Sequence, residues 1–388
     1  MKHVLAVLLC LAVGRVFAED LIVHEWGSIN VVVGSDDQSV VVGAISDDQS
    51  DLPNFVEVWR EQAVVRPTVV EKPILYFYSD NLMNATVRVT YPDGLFTQWW
   101  PSPNYYFPRP AGKGRPAVTK GGRLDWTITI DPDGKHDKEM PQPGEHPWWH
   151  IARDVDAATV KSRRGGAEKF LFYRGAGSFQ PTLNVQVDRE GDFILKNRES
   201  AISRDVYTVR VDEGKTPVIK FYSAITPDAP AEEVVIDSAE AAATHMQSRL
   251  EARGLYKKEA AGMVKIWSET MFEKPGHRAM YMMDEADIDK MLPLRISPEP
   301  KEQKRVILVR LDCLGPSARQ DIETWIQQLA SENFRVRKDA VKKLTASGRI
   351  GEAVMREAYS KTKDPEVKLS LKEIIERITP KNPAETLR

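Results

Sequence analysis

The hydrophobic period of this chain changes near Pro230, and that change limits the folds open to it. From Leu21 to about Ser223, apolar residues recur in short runs with a period near two, punctuated by Gly, Pro, Asp and Asn. The pattern predicts strands over 21–33, 74–78, 86–91, 124–130, 169–173, 183–187, 206–211 and 218–222. Such spacing suits a sandwich rather than a parallel sheet with crossover helices. Beyond Pro230 the period lengthens to that of a helix. Asp237 or Ser238 can cap a helix to about Arg253, where Gly254 stops it, and 255–272 forms a second amphipathic run closed by Pro275 and Gly276. So short a link predicts an antiparallel helical hairpin packed on the β body. Strand-like 278–283 and 305–311 follow, separated by the Pro-rich 292–300, and the run from Val306 to Val309 is expected to return to the sheet. The expected fold class is α+β: a β-rich, sandwich-like body, a helical hairpin and a small all-α tail.

From about Gln320 the chain is helical and repeats itself. Asn333-Phe334-Arg335-Val336-Arg337 and Asp364-Pro365-Glu366-Val367-Lys368 match at an offset of 31 residues, with Leu344 and Ile375 in step. A shorter helix is expected before each, near 322–329 and 352–359. This tail resembles HEAT-type helical repeats, a solenoid family whose members mostly bind other proteins, although Lys368 stands where the family usually has Arg. Two repeats are fewer than the about three needed to stand alone, so the tail should lean on the body or on a partner. The expected segments are 1–18, 19–230, 231–315 and 316–388.

The first of these reads as a cleavable secretory signal. It has Lys2 at its start, an apolar run from Val4 to Val13 too short to span a bilayer, and Val16-Phe17-Ala18 before a cut after Ala18. Cys10 is a poor lipidation site because Leu9 stands where a small residue belongs. The expected location is therefore secreted or periplasmic, with no membrane span. Lys2 and Arg15 leave with the signal, which takes the formal charge from -2 to -4, and no basic excess remains to attract nucleic acid. Only Cys313 survives processing, so an intrachain disulfide is excluded and the chain must rely on an ordinary core.

Six histidines remain, at 24, 136, 146, 150, 245 and 277. In Val23-His24-Glu25-Trp26-Gly27 a regular strand puts His24 and Trp26 on one face and Glu25 on the other. His24 is then either a buried imidazole satisfied by a backbone carbonyl or a metal ligand. His146 and His150 share the His-x-x-x-His spacing of helical zinc sites, but Pro147 pushes His146 out of the helix, where it would cap a short helix instead. A site for zinc or another divalent transition metal would need His146 and His150 to converge with His24, or with His136 and Asp137, as third ligand, and Glu25 or Glu145 as base. Other constellations are weaker. Asp36, Asp37, Asp47 and Asp48 lie in a near-duplicate that reads as a hairpin with polar turns and lacks calcium-loop spacing. The turn ending at Ser178 lacks a nucleophile elbow, and Cys313 has no activator beyond Arg310.

Aromatic residues offer a binding surface. Trp99, Trp100, Tyr105, Tyr106 and Phe107 cluster at the entry to a Pro- and Gly-rich stretch, 101–122, which reads as a surface loop, and Trp148 and Trp149 form a second group after the irregular stretch 131–147. They are either a satellite core under long loops or faces for a glycan or partner, with Arg153 supplying polar specificity.

Val23 to Gly27, Glu71 to Tyr78, and Trp267 through Met271-Phe272 to Pro275-Gly276-His277-Arg278 resemble an exported bacterial protein family of unknown activity with a His-Glu-Trp-Gly motif near the mature N-terminus. The resemblance implies a β-rich envelope or extracellular protein and a bacterial host, in which Asn84-Ala85-Thr86 is no glycosylation signal. It carries no catalytic residues. Two functions are left open: an envelope binding or assembly module for a glycan or protein partner, with the tail docking a second protein, and a metal-dependent hydrolase built on the histidines.

Overall fold

The computed structural model describes residues 17–33, 39–40, 52–58, 68–108, 120–177, 179–198, 201–227 and 232–378. Residues 1–16 of the expected signal, with Cys10, lie outside them, as do Asp36, Asp37, Asp47, Asp48, residues 109–119 and Ser178.

Most of the period-two segments form two large sheets, while Leu183–Val187 pairs apart from both with Phe193–Asn197. Across the larger one the strands run Glu233–Ile236, Val218–Ile225, Ser203–Val211, Gly276–Met282, Glu299–Cys313, Phe17–Val33, Thr68–Tyr78, Leu171–Gly177, Gly94–Trp100 and Glu57–Val58. At its centre Phe17–Val33 and Glu299–Cys313 pair in parallel, joining the start of the chain to the last strand before the tail. The segment from Val306 to Val309 thus does return to the sheet, as its unbroken apolar run required. Phe17–Val33 begins two residues before the cut expected after Ala18, and an irregularity between Ala18 and Ile22 separates that extension from the main register.

A second sheet orders Ala167–Glu168, Thr159–Ser162, Gly122–Asp131, Met83–Tyr91 and Leu294–Ser297, with Tyr105–Phe107 also paired to Gly122–Asp131. Tyr105–Phe107 is a strand inside the stretch expected to be a surface loop. It follows from pairing rather than from a local pattern, since three residues are too few to show a period. Leu294–Ser297, in the Pro-rich connector, is likewise recruited to the edge of Met83–Tyr91.

Apolar side chains of the two sheets meet in one cluster. Val23, Ile29 and Leu75 come from the larger sheet, and Val87, Val89, Trp126 and Ile128 from the smaller. The opposite face of the large sheet is covered by helices. Ser238 caps Ala239–Ala252 by accepting a hydrogen bond from the Ala241 N–H, and Lys257–Ser268 follows, running into a π-helical turn over Glu269–Glu273. Met246, Leu250 and Met263 of these helices share a second cluster with Trp26, Ile74, Tyr207 and Leu308 of the sheet. Each such side chain contributes about 1.5–3 kcal/mol on full burial, which accounts for the hairpin's attachment.

Among its described residues the tail has four α-helices, Pro316–Gln328, Phe334–Ala346, Glu352–Lys361 and Pro365–Ile378. The first packs on the second and third, and the fourth on the second and third, around an apolar cluster of their own that includes Ile322, Leu344, Met355 and Leu371. A cleft of about 810 Å³ separates the first tail helix from the hairpin of Leu183–Val187 and Phe193–Asn197. No helix among the described residues is long and apolar enough to cross a membrane.

Candidate functional site

Each residue of the His-Glu-Trp-Gly motif ties the N-terminal strand to a different part of the molecule. Strand alternation sends His24 and Trp26 to the helical face and Glu25 to the face between the sheets. His24 Nδ1 donates to Glu259 Oε2 at 2.8 Å, and the same carboxylate accepts from the Tyr78 hydroxyl at 2.9 Å and the Tyr256 backbone N–H at 2.6 Å. Burial, then the Glu259 charge, pushes the Tyr78 hydroxyl well above its ordinary pKa and keeps it a donor. The partner of His24 is therefore a carboxylate on the second helix of the hairpin rather than a backbone carbonyl. Glu25 is paired with Arg305 on the neighbouring strand and accepts from the Tyr173 hydroxyl, while Arg305 also reaches Asp289 at 2.6 Å. Trp26 meets Trp267 edge to face, 5.6 Å between ring centres. Gly27 lies where a Cβ would come 2.9 Å from Pro73 Cα, so only glycine lets the two strands approach across this register shift.

The histidines proposed as a metal site are not gathered. His24 is committed to Glu259 at the hairpin. His146 precedes the helix Pro147–Arg153 at its N-cap, with Pro147 in the first turn, and His150 is exposed, its ring bonded to the Gly144 carbonyl at 3.1 Å. Among the described residues no three His, Cys, Asp or Glu side chains are grouped to hold a metal ion. Glu25 is held by Arg305, and burial pushes the Cys313 thiol far up in pKa.

The tryptophans are packed inside. Trp99 and Trp100 are neighbours in the strand Gly94–Trp100, and alternation sends Trp99 to the core between the sheets while Trp100 packs against the helical one. Two adjacent aromatics can both be sheltered because the large sheet is covered on both faces, which its sequence does not announce. Trp148 and Trp149 pack on Phe172, and the fully buried Trp149 donates to Glu168 at 2.9 Å. Arg153 is spent on the same carboxylate, with bonds of 2.8 and 2.7 Å. Tyr106 faces inward onto Trp99, 5.1 Å between ring centres. Of the aromatics singled out from sequence, Tyr105 and Phe107 are left facing out.

Tyr105 belongs to a set of side chains on the outer face of the smaller sheet. Register aligns Arg295, Arg88, Asp125 and Tyr105 in one row across four strands, about 14 Å from end to end. One flanking row holds Ser297, Thr86 and Thr127, and the other holds Thr90, Arg123 and Phe107. Tyr105 and Phe107 are 36% and 39% exposed. A cleft of about 400 Å³ runs along this face. Asp125 takes a bond of 2.9 Å from the Nε of Arg88 and another of 2.9 Å from that of Arg123, whose guanidinium also lies over the Tyr105 ring at 4.8 Å. Burial would raise the Asp125 pKa, but the two arginines outweigh it and hold the carboxyl below its ordinary range. The alternating polar positions of 86–91 and 124–130 were legible as an outward face. Arg295 was not, because its short strand sits in a Pro-rich segment.

The chain matches no protein-family model and no curated protein sequence.

Proposed function

We propose that this chain is an exported binding module of the cell envelope that recognises a glycan on the outer face of its smaller sheet. The observation that carries the reading is the pair of exposed rings, Tyr105 and Phe107, standing beside rows of hydroxyl and guanidinium groups. Apolar rings stack on the flat faces of sugars, while Thr, Ser and Arg side chains bond their hydroxyls. Arg123 lies over the Tyr105 ring, and both rings keep more than a third of their surface open to solvent. Under this reading the two sheets form a sandwich-like body that presents the platform. The stacked helix pairs of the tail act as HEAT-type repeats for a protein partner, an assignment supported by the exposed Phe334 and Leu369.

The test is co-sedimentation and titration of mature protein with a panel of purified cell-wall and matrix polysaccharides. Binding by the parent, weakened about tenfold or more by Tyr105→Ala with Phe107→Ala at unchanged circular dichroism, is the expected result. Failure to bind any glycan, or equal binding by the double variant, overturns it.

A further inference from the structure

We infer that the glycan is acidic, a polymer carrying uronate carboxylates, and that Arg295 and Arg88 are the groups that read its charge. This rests on the proposal that the outer face binds a glycan.

The argument starts from the charge balance of the face. Arg88, Arg123 and Arg295 stand there against one carboxylate, Asp125. Asp125 is fully engaged, since both Arg88 and Arg123 donate to it. Arg295 lies directly opposite Arg88 on the adjacent strand, and like charges placed so oppose strand pairing. Among the described residues no carboxylate forms an ion pair with Arg295, and it is exposed to solvent. Among the described residues of these three rows positive charge exceeds negative by two, and the excess is concentrated at the Arg295–Arg88 end.

An anion bound between these guanidiniums would convert a repulsive pair into a clamp. Arg295 offers its planar fork of donors, and Arg88, whose Nε and Nη2 are bonded to Asp125, offers its remaining Nη1 edge; a carboxylate such as that of a uronate can accept from both. Tyr105 stands at the other end of the same row, about 10 Å from Arg88 by strand spacing, so one chain of sugars can stack and pair at once. Arg123 and Asp125 between them fix the ring and the guanidinium of Arg88 in place before ligand arrives. Thr86 and Ser297, one row away, supply hydroxyls within the same cleft.

The test is isothermal titration of mature protein with polygalacturonate, a neutral galactan and dextran sulfate, repeated with Arg295→Gln and with Tyr105→Ala/Phe107→Ala. Arg295→Gln changes an exposed side chain, and thermal unfolding checks that the fold is intact. The proposal expects polygalacturonate to bind more tightly than the galactan, with binding that weakens as salt rises and falls about tenfold in Arg295→Gln. The aromatic variant is expected to lose both glycans. Galactan bound as well as polygalacturonate, with no effect of Arg295→Gln, overturns the acidic reading and leaves the glycan platform standing. Dextran sulfate bound in preference to polygalacturonate overturns the choice of carboxylate. If no polymer binds, both proposals fall together.

Discussion

His24 and Glu259 are 235 residues apart in sequence and meet through a 2.8 Å hydrogen bond with both side chains buried. The contact fastens the second helix of the hairpin to the central strand, and the same carboxylate gathers Tyr78 and the helix's own first turn. Glu259→Ala strands three donors at once and is expected to cost about 3–5 kcal/mol in urea unfolding, with Glu259→Gln less damaging because it keeps an acceptor. Equal unfolding midpoints for Glu259→Ala and the parent would show that the helix is held by its apolar face alone.

Arg305 and Glu25 form the matching device on the other face of the same strand. Glu25→Leu leaves a buried guanidinium without its main carboxylate and is expected to lose about 3–5 kcal/mol. Adding Arg305→Met removes the stranded charge and should recover most of that loss. A double-mutant cycle in urea measures the coupling, and additive losses in the double variant would contradict it.

Gly27→Ala places a methyl group 2.9 Å from the Pro73 backbone, where neither strand can yield without breaking its pairing. The expected cost is about 1–3 kcal/mol, read as a lower thermal midpoint. A midpoint equal to the parent's would refute the close-approach account of this glycine.

His245, partly covered, and His277, buried, both titrate below the ordinary imidazole value of 6.5, chiefly through lost solvation, with Arg249 and Arg210 respectively adding repulsion. Between the lowered folded values and 6.5 the unfolded chain binds more protons, so stability rises with pH across that window. The contribution is complete above 6.5 and is lost as pH falls below it through the folded values. Urea midpoints measured from about pH 5 to about pH 7.5 should climb and then level, with the climb reduced in His245→Gln/His277→Gln. A parallel curve for the variant would assign the slope to other groups.

Local pattern determined more of this protein than its long-range contacts suggest. The alternation of Val23 to Gly27 was enough to put His24 with Trp26 and Glu25 opposite, because a strand has only two faces. The polar cap at Ser238 and the helical period after it were enough to start the first helix of the hairpin. Neither signal names a partner. That His24 meets Glu259, that the first and last strands of the body pair in parallel, and that Trp99 and Trp100 shelter in different cores were decided by which elements cover each face of the large sheet. The outer row of Arg295, Arg88, Asp125 and Tyr105 is of the same kind. It assembles from four strands, two of them too short to show a period, so strand register aligned side chains that nothing in their local sequence relates.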